Sequence, residues 1–406
     1  MCFVTVPHPL GMISKEEVNA KVDAAFDDIV KAATAWTPAK EKQDAQVKPY
    51  PAKRFKFSGT YADVNDMFQK RKWSLSLPIV PPTVDKVAAM LKGTKRDPAE
   101  VLWVVPPRQG MLTVELVAAL GVMAGAKPEH MPLLIATVEA MAEPDAAWRG
   151  PTTTTAATVP VFFISGPIIE KLKLNPGTGT AGGENPVTNA LGYFVNLVGD
   201  VVGGSVPPNF DKSTHGSSAD LVAMVFTENA KENPWKTTYA EEAGFKPSDS
   251  IVTHFSAYLG NANIDHDSKT GQRLLTTLST GLLGSASGLA SCLADYDATY
   301  AINNKVSFAF IVLCPEHAAT IAKDFPDQRA ARDFMRETAA MPYKFYSQET
   351  CVPGKDFGPY DENTFIPRFK KTESIKFFVS GGPGKQSQIW VPFPQVFKPV
   401  SKKIAE

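Results

Sequence analysis

The chain has 406 residues, of which 44% are apolar and 21% are charged, so it has the composition of an ordinary globular protein and can bury a sizeable core. Its 42 basic residues equal its 42 acidic residues, so no overall field favours nucleic acid or an anionic membrane, and we predict neither as a partner. The four cysteines form no CxxC pair, which argues against a zinc ribbon, a thioredoxin-type dithiol or a secreted disulfide framework.

Residues 1–60 predict a helix followed by an extended arm. Ser14–Glu17 matches a capping box, and apolar residues follow it at helical spacing. Residues 37–57 are polar and rich in proline, which is typical of an exposed connector. Thr60–Asp63 is placed to cap a second, short helix. No signal peptide or membrane-spanning segment is indicated, so we expect a cytoplasmic protein.

Residues 61–150 predict an α/β subdomain built from two similar units. An apolar run ends in Val-Pro-Pro and leads into a helix twice, at 77–82 and at 101–107. Proline is expected just past a strand or in the first turn of a helix, where no N–H is needed. A further helix is predicted from Pro128 to Ala142, after the glycine and proline that separate it from its predecessor.

Residues 151–406 predict the main α/β domain. Val159–Ser165 is apolar, β-branched and aromatic, which is typical of a fully buried strand. Further strands are predicted at 221–227, 250–255, 310–315, 375–380 and 388–392. Because strands alternate with helices, we predict an α/β fold with a mixed or mainly parallel sheet, flanking helices and repeated strand–Pro/Gly–helix units. Parallel sheets bind ligands beyond the carboxyl ends of their strands.

The segment Asn175–Pro186 is the most glycine-dense part of the chain. Its letters satisfy GxGxxG, but these glycines do not directly join a strand to a helix, as a dinucleotide site requires. We predict instead that the backbone of Gly177, Thr178, Gly179 and Thr180 binds an anionic group such as a carboxylate.

A second glycine-rich segment, residues 381–387, is similar to a P-loop but does not satisfy its pattern. It lies between two strand-like runs, so we favour a glycine-rich hairpin turn. Lys385 within it is a candidate for an anion contact.

Polar residues after the predicted strands are the catalytic candidates. Glu228 and Asn229 directly follow a buried strand, where a partly desolvated carboxylate can hold a pKa suited to acid–base catalysis. A turn cap is an equally favoured interpretation of both residues. Asn263 and His266 lie in a polar cluster before a helix rich in small residues, and His215 lies in a loop. We predict Glu228, His266 and His215 as catalytic, and Asn229 and Asn263 as substrate-binding.

Two other kinds of chemistry are considered. His254, Asp265 and His266 could bind a divalent metal, because imidazole and carboxylate suit such ions, but no HExxH motif is present, and our leading prediction contains no metal or other cofactor. Cys314 stands at a strand end, three residues before His317. We favour a buried thiol over a nucleophile there.

From about residue 64 onward the chain resembles a bacterial family related to the UGSC (selenocysteine-Gly-Ser-Cys) thiol and selenol proteins. The segments that carry the resemblance are Leu77–Thr83, Val105–Pro107, Met123–Glu129, Asn175–Gly179, Glu228–Trp235, Asn263–His266 and Gly381–Lys385. Members with the UGSC motif are presumed to perform thiol or selenol chemistry. This chain has no such motif, and Thr180 and Ala126 occupy positions at which relatives often carry cysteine.

These observations predict an enzyme that uses acid–base chemistry, as a lyase, hydratase or hydrolase, on a small anionic or carboxylate substrate. A metal-dependent enzyme that uses the His266 and Asp265 cluster is the first alternative. A non-catalytic partner subunit of a thiol-type protein is the second, and a homo-oligomer is compatible with each.

Overall fold

The computed structural model describes residues 4, 6, 13–35, 50–207, 214–258, 260–284, 308–345, 361–369, 371–393, 396 and 398–405. The chain divides into two compact units, Met1–Lys48 and Pro49–Glu406. The first unit contains helix α1 (Lys15–Thr34), and the capping box predicted at its start, with Ser14 and Glu17, is present. Most of the predicted connector, up to residue 49, lies outside the described residues.

Helices and strands alternate through the second unit. Its described helices are α2 (Tyr61–Lys70), α3 (Val84–Leu91), α4 (Val114–Met123), α5 (Met131–Ala142), α6 (Ile168–Lys171), α7 (Pro186–Asn196), α8 (Tyr239–Glu242), α9 (Gly271–Gly284), α10 (Pro315–Asp324) and α11 (Gln328–Thr338). Short helical turns lie at Pro128–His130, Pro144–Ala146, Leu197–Val202, Ser218–Asp220, Tyr343–Phe345 and Thr372–Ser374. Among the described residues no helix is both long and apolar enough to span a bilayer.

The strands of the second unit confirm the α/β class, with sheets of mixed direction. They are β1 (Val101–Val105), β2 (Gly110–Thr113), β3 (Val159–Ser165), β4 (Met224–Thr227), β5 (Ile251–Ala257), β6 (Asn261–Ile264), β7 (Ala309–Leu313), β8 (Ala340–Pro342), β9 (Phe365–Pro367), β10 (Ile375–Val379), β11 (Gln386–Trp390) and β12 (Val400–Lys403). β1 pairs with β2 and β8 with β9 as antiparallel ladders.

Two four-stranded sheets repeat one pattern of strand directions. Sheet 1 has the order β12-β5-β3-β4, and sheet 2 has the order β6-β11-β7-β10. In sheet 1, β3 is parallel to β4 and antiparallel to β5, which is antiparallel to β12. In sheet 2, β7 is parallel to β10 and antiparallel to β11, which is antiparallel to β6. The second unit therefore contains two halves of matching topology.

The two halves exchange their last strands. β6 follows β5 along the chain but pairs with β11, and β12 follows β11 but pairs with β5. Where the chain crosses between the sheets, the Tyr258 N–H donates to the Val391 carbonyl at 3.2 Å and the Phe393 N–H donates to the Ser256 carbonyl at 2.8 Å. These two bonds are reciprocal, so the halves are related by an approximate twofold arrangement.

Because the two halves have matching strand order and registers, residues of one half have equivalents in the other. The Glu228 N–H donates to the Ile164 carbonyl and the Ser380 N–H donates to the Leu313 carbonyl, each at 3.0 Å, and Glu228 and Ser380 form an isolated bridge with each other. By the same registers, Ser165 at the end of β3 corresponds to Cys314 at the end of β7.

The sheets pack face to face, and helices cover their outer faces. Alternate residues of β3 point in opposite directions, so Phe163 faces sheet 2 while Phe162 and Ile164 face the core formed with α4, α5 and α7. β7 does the same, with Phe310 between the sheets and Ile311 towards α9, α10 and α11. This explains why β7 is apolar throughout and β3 is apolar up to Ile164. The core under sheet 1 contains residues from both sides of residue 150, where we predicted a domain boundary.

Some sequence predictions need correction. Residues 77–80 form no strand, and Pro106–Pro107 leads into β2 before α4 begins, so the two Val-Pro-Pro units are not equivalent. β10 and β11 flank β7 and do not pair with each other, so the glycine segment at 381–385 is a crossover and not a hairpin turn. The helix rich in small residues that was predicted after the Asn263 and His266 cluster is α9, and residues 285–307 lie outside the described residues.

Candidate active site

A pocket of about 270 Å³ lies between the two sheets at the carboxyl ends of β4, β7 and β10. Its lining comes from both glycine-rich segments and from three strands, and comprises Thr178, Gly179, Thr180, Phe226, Val312, Cys314, Ser380, Gly381, Gly382, Pro383, Gly384, Gln386 and Gln388. This is the position expected for a ligand of an open sheet with parallel strands. Two glutamines are the largest polar side chains in this lining, and none of its residues is charged.

The first glycine loop is held by hydrogen bonds to the end of β4. The Thr180 hydroxyl bonds that of Thr227 at 2.7 Å, and the Thr227 hydroxyl donates to the Asn175 carbonyl at 2.6 Å. The Gly177 N–H donates to Asn175 Oδ1 at 2.9 Å and the Thr180 N–H to the Gly177 carbonyl at 3.0 Å. Two of the four predicted anion-binding amides are therefore used within the loop.

The amides of Thr178 and Gly179 are not used within the loop. Within the described part of the chain, their N–H groups and that of Gly382 have no hydrogen-bond partner. All three residues line the pocket. Unpaired backbone donors therefore occur among the residues that line the pocket.

The second glycine segment packs directly on the first. The Gly381 N–H donates to the Pro176 carbonyl at 2.9 Å. Asn229 binds the same segment, because its Nδ2 donates to the Gly381 carbonyl at 3.0 Å. Glu316, in the first turn of α10, accepts the N–H groups of Gly384 at 2.6 Å and Lys385 at 2.9 Å through Oε2. The pocket wall is thus tied to α10 and to β4.

Cys314 lies in the pocket wall at the N-cap of α10, with Pro315 as the first helical residue. His317 is in the same turn, and its Nδ1 is 2.8 Å from Ser387 Oγ, while its Nε2 is 3.1 Å from the Asp265 carbonyl oxygen. Ser387 Oγ also accepts the Cys314 N–H at 3.3 Å and lies 4.0 Å from Cys314 Sγ. All three side chains are buried.

The surroundings of Cys314 favour a thiolate. Burial alone raises the pKa of the thiol, but hydrogen bonds and charge from His317 outweigh it, so the pKa of Cys314 lies below its ordinary value. Burial likewise opposes a charged imidazole, yet contacts with Cys314 and Asp265 raise the pKa of His317. The N-terminus of α10 adds a partial positive charge next to the sulfur. A reactive cysteine has these features.

Glu228 has the perturbed pKa that we predicted but lies outside the pocket lining. Burial raises the pKa of its carboxyl to about 7, against the opposing hydrogen bond from the Tyr239 N–H, which donates to Oε1 at 2.6 Å. Within the described residues, neither Glu228 Oε2 nor the neighbouring Ser165 hydroxyl has a partner by hydrogen-bond geometry. The role of Glu228 as an acid or base stays a prediction.

Glu228 is expected to make stability depend on pH. Its pKa is raised from 4.5 to about 7, so its contribution is fully present below about pH 4.5 and is lost as the pH rises through 7. A shift of this size corresponds to about 3 kcal/mol. We expect Glu228→Gln, which keeps the acceptor for Tyr239, to unfold in urea with a smaller loss of stability between pH 4 and pH 8 than the wild type. Glu170→Gln at an exposed site is the control, and parallel curves for wild type and Glu228→Gln would contradict this expectation.

The other predicted site residues are dispersed. His266 and His215 are exposed, and neither belongs to the pocket lining. Asn263 is buried against α9, where its Nδ2 donates to the Asn261 carbonyl at 3.2 Å. Lys385 extends away along the surface, and its Nζ donates to the His266 carbonyl at 2.9 Å. Their predicted roles are not tested by this geometry.

The residues of the metal alternative are separated. His254 is fully buried, stacks on Phe162 at 4.4 Å between ring centroids, and has a pKa lowered to about 3 by burial. The carboxylate of Asp265 accepts hydrogen bonds from Ser268 and Thr277. Over the described ranges, no group of three or more histidine, cysteine, aspartate or glutamate residues could hold a metal ion.

Comparison with known proteins gives no independent assignment, because no protein-family model and no curated protein matches the chain. The site was therefore built from geometry alone. The sequence prediction favoured a buried, unreactive thiol at Cys314 and gave no role to His317. The pattern Cys-Pro-Glu-His could have indicated the pair, because a cysteine at the N-cap brings the histidine three residues later into the same helical turn.

Proposed function

We propose that this protein is an enzyme that uses the Cys314 thiolate to attack the carbonyl carbon of a small ester or amide. The observation that carries the proposal is that a cysteine with a lowered pKa lines a pocket together with two glycine segments. Cysteine is the most nucleophilic of the side chains that form covalent intermediates, and its thiolate is the reactive form.

The proposed reaction is hydrolysis or group transfer at the carbonyl carbon. The sulfur would form a bond to that carbon, and the N–H groups of Thr178, Gly179 and Gly382 would bind the oxygen on which negative charge develops. His317, which holds the thiol proton, would return it to the leaving group. Water would then release the product and regenerate the thiol.

The sequence prediction was acid–base chemistry on a small anionic or carboxylate substrate, and this proposal keeps a small substrate but changes the reacting group. The resemblance to UGSC-related proteins implied thiol chemistry, with Thr180 in place of a cysteine. Cys314 would supply a thiol to the pocket from a different part of the chain.

Alkylation of the intact protein tests the proposal directly. We expect iodoacetamide to modify Cys314 in the folded chain with a reaction midpoint below pH 8.5, the ordinary value of a cysteine pKa. Peptide mass mapping separates Cys314 from the other three cysteines. A Cys314 that does not react, or that titrates as an ordinary thiol, would refute the proposal.

Turnover on a panel of small esters, amides and carboxylates separates this mechanism from the acid–base prediction. Cys314→Ser is expected to lose activity by about 10³-fold or more, because serine at this site lacks an accessible anionic form. Glu228→Gln and His266→Ala are expected to keep most of it. The opposite ranking would favour the acid–base mechanism through Glu228 and His266.

A further inference from the structure

We propose that Ser387 is a positioning residue of the Cys314–His317 pair, which holds the imidazole and stabilises the thiolate by hydrogen bonds. The inference rests on the proposed function, because it gives Ser387 a role in generating the Cys314 thiolate. The Ser387 hydroxyl contacts both groups, 4.0 Å from Cys314 Sγ and 2.8 Å from His317 Nδ1.

The tautomer of His317 decides which of its nitrogens can accept the thiol proton. A carbonyl oxygen only accepts hydrogen bonds, so the His317 Nε2 that faces the Asp265 carbonyl at 3.1 Å carries a proton. In the neutral ring, Nδ1 is therefore the acceptor, and the Ser387 hydroxyl donates to it. The ring is thus prepared to receive a proton on the side that faces Ser387.

The proton transfer balances without a further reactant. The S–H bond of Cys314 breaks and its proton moves to His317 Nδ1, while the Ser387 hydroxyl turns from Nδ1 to the sulfur. The product is a thiolate, a neutral serine and an imidazolium. Ser387 then accepts from Nδ1–H and from the Cys314 N–H, and its own hydroxyl donates to the thiolate.

The fold itself does not require a hydroxyl at this position. In sheet 2, β11 pairs Ile389 with Ile311 of β7, and in sheet 1, β5 pairs His254 with Phe162 of β3. Counted from these equivalent pairs, Ser387 corresponds to Val252, which is fully buried in the same place of the first half. A valine satisfies the sheet there, so the serine in the second half is explained better by its contacts with Cys314 and His317.

The charged groups around His317 are few. Asp265 presents its carbonyl to the ring while its carboxylate accepts from Thr277 and Ser268. Glu316 precedes His317 on α10, and hydrogen bonds from the Gly384 and Lys385 amides, together with the nearby charges of Lys385 and His317, lower the pKa of Glu316. Neither carboxylate accepts a hydrogen bond from Cys314 or His317 among the described contacts, whereas Ser387 Oγ contacts both.

The test is the rate at which iodoacetamide alkylates Cys314 in the intact chain, measured from pH 5 to pH 9. We expect Ser387→Ala to lower the rate at pH 7 by about tenfold or more, because the thiolate loses the hydrogen bond from Ser387 and the imidazole loses the group that holds it. Ser387→Thr keeps a hydroxyl and is expected to restore the wild-type profile. Ser279→Ala removes another buried hydroxyl, on α9, and is expected to leave the profile unchanged.

The outcomes separate the two proposals. If Cys314 of the wild type reacts at low pH and Ser387→Ala keeps that profile, the positioning role of Ser387 is wrong and the nucleophile stands. If wild-type Cys314 behaves as an ordinary thiol, the proposed function fails first. Circular dichroism and the midpoint of thermal unfolding show whether each variant is folded, and a folded Ser387→Thr without rescue also overturns the role of Ser387.

Discussion

Replacing Phe163 with alanine is expected to lower the free energy of unfolding by about 3–5 kcal/mol. Phe163 is fully buried at the centre of the layer between the sheets. Its ring stacks on Phe310 of β7 at 4.4 Å and meets Phe378 of β10 at 4.7 Å, and it also stacks on Phe226 and Phe255 of its own sheet at 5.4 and 5.9 Å. Deleting the ring therefore leaves a cavity that faces both sheets.

The measurement is urea unfolding followed by near-ultraviolet circular dichroism and by tryptophan fluorescence. Because Phe163 contacts both halves, both signals should shift together to lower urea concentration. Phe365→Ala is the matched control, since 66% of that side chain is exposed and its loss should change stability by less than about 0.5 kcal/mol. Equal midpoints for the two variants would show that the interlayer cluster is not the main support of the fold.

The elements with strong local patterns were predictable from the sequence. Val159–Ser165 was predicted as a fully buried strand and is β3 with those bounds, because a strand between two layers is apolar on both faces. The capping boxes at Ser14 and Thr60 likewise gave the correct starts of α1 and α2. In each case the information lies within a few neighbouring residues.

The strand exchange was not predictable, because its signals are not local. β6 has the sequence Asn-Ala-Asn-Ile and β12 has Val-Ser-Lys-Lys, and neither shows the apolar pattern of a core strand. Both are strands because a distant edge, β11 or β5, offers them unpaired backbone groups. For the same reason the crossover between β10 and β11 was mistaken for a hairpin: β7, which separates them, lies more than sixty residues earlier.

The candidate site was predicted in outline only. The backbone at 177–180 was predicted to bind an anionic group, and Thr178, Gly179 and Thr180 line the pocket, while the anion binding itself stays a prediction. Cys314 and Ser387 come from the other half of the chain. Ser387 is one serine between two glutamines at the start of β11. The Ser387 hydroxyl contacts Cys314, 73 residues earlier in the chain, only because the strands pair and bury both residues. No spacing in the sequence predicts such a contact.

Replacing Gly382 with alanine is expected to separate the two glycine segments. A Cβ at this position would lie 2.1 Å from Thr178 Oγ1 and 2.9 Å from the Thr178 backbone N and Cα. The threonine hydroxyl can rotate away, but its backbone must move, and overpacking of this kind costs about 1–3 kcal/mol. Because Thr178 and Gly382 both line the pocket, the displacement widens the site where the substrate would be bound.

Hydrogen exchange of the pocket amides measures this separation without a substrate. If opening of the segment becomes easier by 1–3 kcal/mol, the Gly381 N–H, which donates to Pro176, should exchange about 5- to 150-fold faster in Gly382→Ala. Gly183→Ala is the matched control: it lies in the first loop, at negative φ, with nothing within 4 Å of the added methyl group. Unchanged exchange in Gly382→Ala would mean that the two segments are not in close contact in solution. A similar acceleration of exchange in Gly183→Ala would show that the loop is generally loosened. Only a faster exchange of the Gly381 N–H in Gly382→Ala than in Gly183→Ala supports a pocket built from both segments.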